Sequence, residues 1–228
     1  MPEPSTDLES ANDDAPVTGA EELADNPGLD AAALKPLVAD ASCLLNLIAT
    51  DRAVDMLQAL GHTLVISPAV PRERLLLIEP GYEVGTMYSD ELPRQPIDLG
   101  PLHEAGLLRG QALEAEMIGP FVRCAELLPD EDAEAVAIAA CLGLPLLTDD
   151  RRQRFVGTDL FPRLRFVSTL DLMIQACEAL GLDDAAREAM VRDVRNRANY
   201  LPDRHDPQRA WFFGAREPAA EGDDDSVG

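Results

Sequence analysis

Four short apolar runs, each closing on a polar residue and each bordered by segments of helical periodicity, constrain this fold more than any other feature. They are PLVAD (Pro36–Asp40), TLVIS (Thr63–Ser67), LPLLT (Leu144–Thr148) and LRFVST (Leu164–Thr169). Runs of this length, rich in Val, Ile and Leu, suit strands buried on both faces. Between the first two, ASCLLNLIATDRAVDMLQALG repeats Leu44, Leu45, Ile48, Val54, Leu57 and Leu60 near helical spacing and ends at Gly61, a suitable helix stop. PAVPRERLLLI, after TLVIS, predicts a short helix opened by prolines. From Glu79 to Pro101 the Gly, Pro, Tyr and Asp content predicts a long connection or a weak strand, and GLLRGQAL a further strand. EAEMIGPFVRCAELL predicts a helix interrupted at Gly119-Pro120, and PDEDAEAVAIAACLG one that starts at Pro129-Asp130 and stops at Gly143. Strands alternating with helices in this way predict an α/β fold, a mainly parallel central sheet with helices on both faces. LDLMIQACEALG and DDAAREAMVRDVRNRANY then read as an amphipathic helical pair appended to it.

Charge is uneven along the 228 residues and their formal −23. Residues 1–35 carry nine acids against Lys35 alone, and residues 217–228 carry five acids and no base. Both ends lack sustained periodicity, which predicts a disordered acidic leader over 1–34 and a disordered acidic tail over 214–228. The centre is acidic over 36–150, with 19 acids and 6 arginines, and mildly basic over 151–216, with 9 acids and 12 arginines. Such a balance excludes loose polyanion binding but leaves room for a local arginine-lined site.

Cys43, Cys124, Cys141 and Cys177 lie far apart in apolar contexts without a CxxC pair, which predicts buried thiols in a reducing compartment. His62, His103 and His205 are equally scattered, so no zinc site is readable. The N-terminus has no basic-then-apolar export signal, and the longest near-apolar run, Ala135–Leu147, is too short to span a bilayer. Together these predict a soluble, cytoplasmic protein with no membrane association.

In a parallel sheet, functional groups collect beyond the carboxyl ends of the strands. Asp40 closes the first strand, Asp149 and Asp150 follow Thr148 at the end of LPLLT, Glu73 lies beyond TLVIS, and Asp132 opens the helix before LPLLT. Carboxylates gathered without Lys or His repel one another, which makes sense when a divalent cation neutralises them. All-oxygen ligation suits Mg²⁺ or Mn²⁺ and, with it, phosphodiester hydrolysis. Each acid also has a plain structural reading: Asp130 and Asp132 as first-turn acids, Asp149 or Asp150 as a cap on RRQRF, Glu73 as a partner of Arg72 or Arg74. Asp40 resists that reading most, because an unpaired carboxylate ending an apolar strand is costly to bury.

With those residues in view, the chain resembles the PIN domains, a small metal-dependent ribonuclease fold that includes VapC-type toxins. LVADASCLLNL is similar to the family's opening motif, VISPAVPRERLL to its second, and DEDAEAVAIAACLGLPLLTDDRRQR to its third and fourth. The resemblance covers roughly residues 36–169. It implies a three-layer α/β/α nuclease domain over 35–170, followed by a C-terminal helical extension over 171–213. It implies Asp40, Glu73, Asp132 and Asp150 as catalytic and metal-holding acids with Mg²⁺ or Mn²⁺, the adjacent Asp149 as a further metal-holding acid, and Thr148 and Ser42 in support. Many relatives carry Gly-Glu-Ala where this chain has Glu131-Asp132-Ala133, so either Glu131 or Asp132 is the third acid.

Arg151 and Arg152, with Arg154, read equally well as phosphate contacts and as a solvated or ion-paired helix face. Trp211, Phe212 and Phe213 suit docking on the domain's own surface or on a partner better than stacking on bases. The expected activity is metal-dependent hydrolysis of RNA. The contrasting expectation is a non-catalytic PIN-like module that binds a protein partner. An antitoxin, another protein partner and a homodimer are all compatible with the sequence.

Overall fold

The computed structural model describes residues 34–68, 70, 74–82 and 91–214. Apart from Leu34 and Gly214, the expected disordered leader and tail lie outside the described residues, as does Glu73. In chain order the strands are β1 (Lys35–Ala39), β2 (His62–Ile66), β3 (Leu76–Ile78), β4 (Arg94–Pro96), β5 (Leu108–Gly110), β6 (Leu146–Leu147) and β7 (Phe166–Val167). The helices are α1 (Ala41–Ala49), α2 (Ala53–Leu60), α3 (Gly100–Glu104), α4 (Ile118–Ala125), α5 (Asp130–Leu142), α6 (Arg151–Leu160), α7 (Thr169–Leu180), α8 (Asp184–Arg197) and α9 (Arg209–Phe213).

Five strands form one all-parallel sheet in the order β5-β2-β1-β6-β7. The pleat divides its residues between two cores. Leu37 and Ala39 of β1, Leu64 of β2 and Leu147 of β6 face α1, α2, α7 and α8. Val38, Val65 and Leu146, one residue out of phase, face α4, α5 and α6. With nearly continuous burial along the central strands, a one-residue slip would exchange one core for the other, which fixes the register Val38↔Val65 and Val38↔Leu146. The result is a three-layer α/β/α fold. Among the described residues no helix is long and apolar enough to cross a membrane.

Three elements differ from the sequence reading. The helix expected to break at Gly119-Pro120 runs unbroken through both as α4, because Pro120 sits in its first turn, where a missing amide proton costs no bond. The segment expected to form one helix from Ala41 to Leu60 is two helices. Thr50 Oγ1 donates to Leu47 O at 2.6 Å and accepts from Arg52 N at 3.0 Å, and Asp51 takes φ 54°, where Arg197 of α8 clasps its carboxylate. Thr50 competing for backbone groups, with Asp51 in the left-handed region, ends α1. The short helix expected over PAVPRERLLLI gives way, at Leu76–Ile78, to β3, paired antiparallel with β4. An apolar run this short is ambiguous by periodicity; here Leu75 and Leu77 are buried in the core shared with α1 and α8.

The C-terminal helices belong to the same core. α7 lies along α2, and α8 along α1 and β3. Tyr200 and Phe212 meet edge to face with centroids 5.6 Å apart, and Arg187 and Arg209 lie over the Trp211 and Phe213 rings at 5.6 and 4.6 Å. Those aromatics are thus engaged on the chain's own surface, one of the two placements the sequence favours. All four cysteines are free thiols; Cys43, Cys124 and Cys177 are buried, whereas Cys141, at the end of α5, is exposed rather than buried.

Candidate carboxylate site at the sheet edge

From β1 the chain winds to β2 and β5 on one side, then crosses to β6 and β7 on the other. The order therefore reverses between β1 and β6, and crevices open beyond the carboxyl ends of strands at such a switch point. Asp40 follows β1, and Thr148-Asp149-Asp150 follow β6. The Asp40 amide donates to Leu147 O at 3.0 Å, which keeps the two strand ends level. Asp132, in the first turn of α5, arrives at the same edge because α5 packs along β1 and β6.

Asp40, Asp132 and Asp150 are close enough to act on one another electrostatically. Burial, with the charges of Asp132 and Asp150, pushes the Asp40 carboxyl up to about 6 from an ordinary 3.8, against the opposing hydrogen bonds from Ser42 Oγ and the Ala41 amide. The Ser42 hydroxyl donates to Asp40 Oδ2 at 2.6 Å. Asp132 is also raised, by burial first and then by Asp150. Beside it lies the fully buried Gln153 side chain, whose hydrogen bond to Asp132 opposes that rise. Asp150 caps α6, its Oδ1 accepting from the amides of Arg152 at 2.6 Å and Gln153 at 2.9 Å. Its own amide donates to Thr148 Oγ1 at 3.0 Å, so the buried threonine sets the turn that aims Asp150.

The neighbouring aspartates have different surroundings. Asp149 turns inward: its Oδ1 accepts from the Thr169 amide at 2.9 Å, and its Oδ2 from Thr169 Oγ1 at 2.5 Å, Asn46 Nδ2 at 3.2 Å and Cys43 Sγ at 3.4 Å. Burial and the Asp149 charge together hold the Cys43 thiol and the Tyr200 hydroxyl in their neutral forms well above their ordinary range. Asp149 therefore ties β6 to α1 and to the start of α7. Glu131 pairs with Arg74 at 2.7 Å on an exposed surface, so of the two alternatives for a third acid it is Asp132 that stands with Asp40 and Asp150.

Arg151 and Arg152 are both exposed at the start of α6. Arg151 makes a long 3.4 Å pair with Asp203, and Arg152 lies near enough to Asp132 to favour its charged form. Arg154 does not face the edge freely; its guanidinium donates twice to Thr148 O, at 3.1 and 2.9 Å.

Several buried polar groups around the edge escape sequence reasoning. Ser67 Oγ, at the end of β2, donates at 2.6 Å to Glu134, a buried carboxylate two residues beyond Asp132. Asn46 and Thr169 complete the Asp149 network, Asn46 Nδ2 donating to Thr169 Oγ1 at 3.2 Å. A polar side chain on the otherwise buried face of α1, between Cys43 and Leu47, is the one available signal for Asn46. Glu134, inside an Ala-rich helix of four nearby acids, gives none.

The oxygen donors suit a hard divalent cation, and their mutual repulsion is what such a cation relieves. As the side chains stand, no three Asp, Glu, His or Cys among the described residues are close enough together to hold one ion. Mg²⁺ needs no such cage, since it commonly binds through one or two carboxylates plus waters and substrate phosphate. A surface cavity of about 410 Å³, lined by residues including Ile48, Arg52, Leu77 and Arg197, lies apart from these acids, none of which lines it. No family model, no curated protein and no solved structure matches the chain.

Proposed function

We propose that this chain is a PIN-like, Mg²⁺- or Mn²⁺-dependent nuclease that hydrolyses phosphodiester bonds of RNA. The observation that supports the reading is that Asp40 and Asp150 follow adjacent strands at the switch point, with the charges of Asp132 and Asp150 helping burial to push the Asp40 carboxyl up to about 6. Carboxylates whose charged form is disfavoured and that line a crevice are characteristic of functional sites. Asp40 and Asp150 would hold the cation from the two strand ends and Asp132 from α5. Divalent metal supplies at such a site an activated water and charge neutralisation for the attacked phosphate. Ser42 orients Asp40, and Thr148 orients Asp150, each through the hydrogen bond described above. Asp149, with four hydrogen bonds directed inward, is a positioning residue that keeps β6 in register with α1 and α7.

The test is cleavage of a panel of single-stranded and hairpin RNAs with Mn²⁺, comparing the parent with Asp40→Asn and Asp150→Asn. Metal-dependent cleavage by the parent, lost in both variants, supports the reading, and equal cleavage by parent and variants removes it. The alternative is a non-catalytic protein-interaction module of the same fold, favoured by the lack of a ready three-ligand set among the described residues. It predicts no Mn²⁺ binding at neutral pH with the fold intact.

A further inference from the structure

We propose that Phe155 is a stacking platform for an unpaired RNA base, flanked by Arg151 and Arg152 as phosphate contacts; this rests on the nuclease reading. Phe155 is 74% exposed, more than any other large apolar side chain among the described residues. Its position on α6 is specific. At about 100° per residue, the ring projects between the directions of Arg151 and Arg152, about one turn further along the helix. Both arginines are exposed. The opposite face of α6 already fills its place in the core through Gln153, Val156 and Gly157, so Phe155 is not the helix's packing residue.

The charges beside the ring are available. The Arg151–Asp203 pair is 3.4 Å long with side chains 74% and 36% exposed, so it exchanges readily for a phosphate. Arg152 forms no ion pair among the described residues, and it lies near enough to Asp132, at the carboxylate edge, to favour that group's charged form. An exposed aromatic between two cations is the combination that tracks a single strand: the ring takes a base face and the guanidiniums take the backbone. In a chain of net charge −23, this local pair offers a polyanion an approach to the Asp150 end of α6. Trp211, Phe212 and Phe213 do not compete for the role, being engaged with Arg187, Tyr200 and Arg209.

The experiment uses the full chain carrying Asp40→Asn, so that bound RNA is not cut, and a fluorescein-labelled single-stranded decanucleotide followed by anisotropy. Adding Phe155→Ala is expected to weaken binding by about tenfold, Phe155→Trp to restore it, and a duplex of the same sequence to discriminate little between the three. Thermal melting should be the same for all. Unchanged affinity in Phe155→Ala, while the parent cleaves RNA, overturns the platform and leaves the nuclease reading standing. A parent that neither binds nor cleaves RNA overturns both. Unchanged affinity with a shift from dimer to monomer in light scattering assigns the ring to contact between copies of the chain and overturns the platform.

Discussion

Asp40→Asn should make the protein more stable at neutral pH, and by an amount the structure sets. The folded state holds the Asp40 carboxyl at about 6 instead of 3.8, so ionising it is opposed by about 3 kcal/mol at roughly 1.4 kcal/mol per pH unit. Because the folded value lies above the unfolded one, the folded state binds this proton more tightly. The cost is absent where both states are protonated, grows as pH rises through the window between 3.8 and about 6, and is constant above it. Asparagine carries no charge and keeps one oxygen for the Ser42 hydroxyl. The variant should therefore gain up to about 3 kcal/mol at pH 7.5 and about half that at pH 5, or about 2–4 °C in Tm per kcal/mol. Urea unfolding followed by circular dichroism between pH 5 and 8, in EDTA, measures it; the sequence pI of about 4.3 makes lower pH unsuitable. Mn²⁺ should then narrow the gap by stabilising the parent alone. Equal stability of the two proteins at pH 7.5, or a gain that does not grow with pH, would refute the claim that Asp40 is held in an electrostatically unfavourable place.

Other consequences are equally direct. Asp149→Ala strands the Asn46 and Thr169 donors in a buried setting and should cost about 2–4 kcal/mol in urea unfolding, a loss of structure in contrast to the gain at Asp40. Ser67→Ala removes a hydroxyl that donates to buried Glu134 and should cost about 1–3 kcal/mol by the same measurement. Calorimetric Mn²⁺ affinity should fall by up to about tenfold per pH unit below about 6, since the metal must displace the proton that Asp40 then carries. Asp132→Asn should weaken Mn²⁺ binding, whereas Glu131→Gln, which breaks only an exposed pair with Arg74, should leave it unchanged and cost less than about 1 kcal/mol of stability.

The sheet was legible because its strands are buried on both faces and end on polar residues, so Pro36–Asp40, Thr63–Ser67 and Leu144–Thr148 each stand out from the helices around them. Strand order was not written in any one run, yet it is what brings Asp40 and Asp150 to one edge. Where apolar spacing served two purposes the reading was weaker. Leu75–Ile78 satisfies a helix face over one turn as well as a strand, and only its partner β4 decides between them. The resemblance set Asp150 apart from Asp149 by its spacing from Thr148 but left the role of Asp149 open. That role follows from Asn46 and Thr169, 103 and 20 residues away in the chain, which claim Asp149 for the interior. Phe155 was hidden for another reason: a lone aromatic reads as a core residue until the inward face of α6, through Gln153, Val156 and Gly157, is known to lie opposite it.

The account stands most directly on whether a divalent cation binds among Asp40, Asp132 and Asp150. Crystals of the parent soaked in Mn²⁺ and measured at the manganese absorption edge should show an anomalous peak contacted by oxygens of these three residues, and no such peak in Asp40→Asn. An intact fold with no peak at that edge, or with its peak at another surface, would contradict the account.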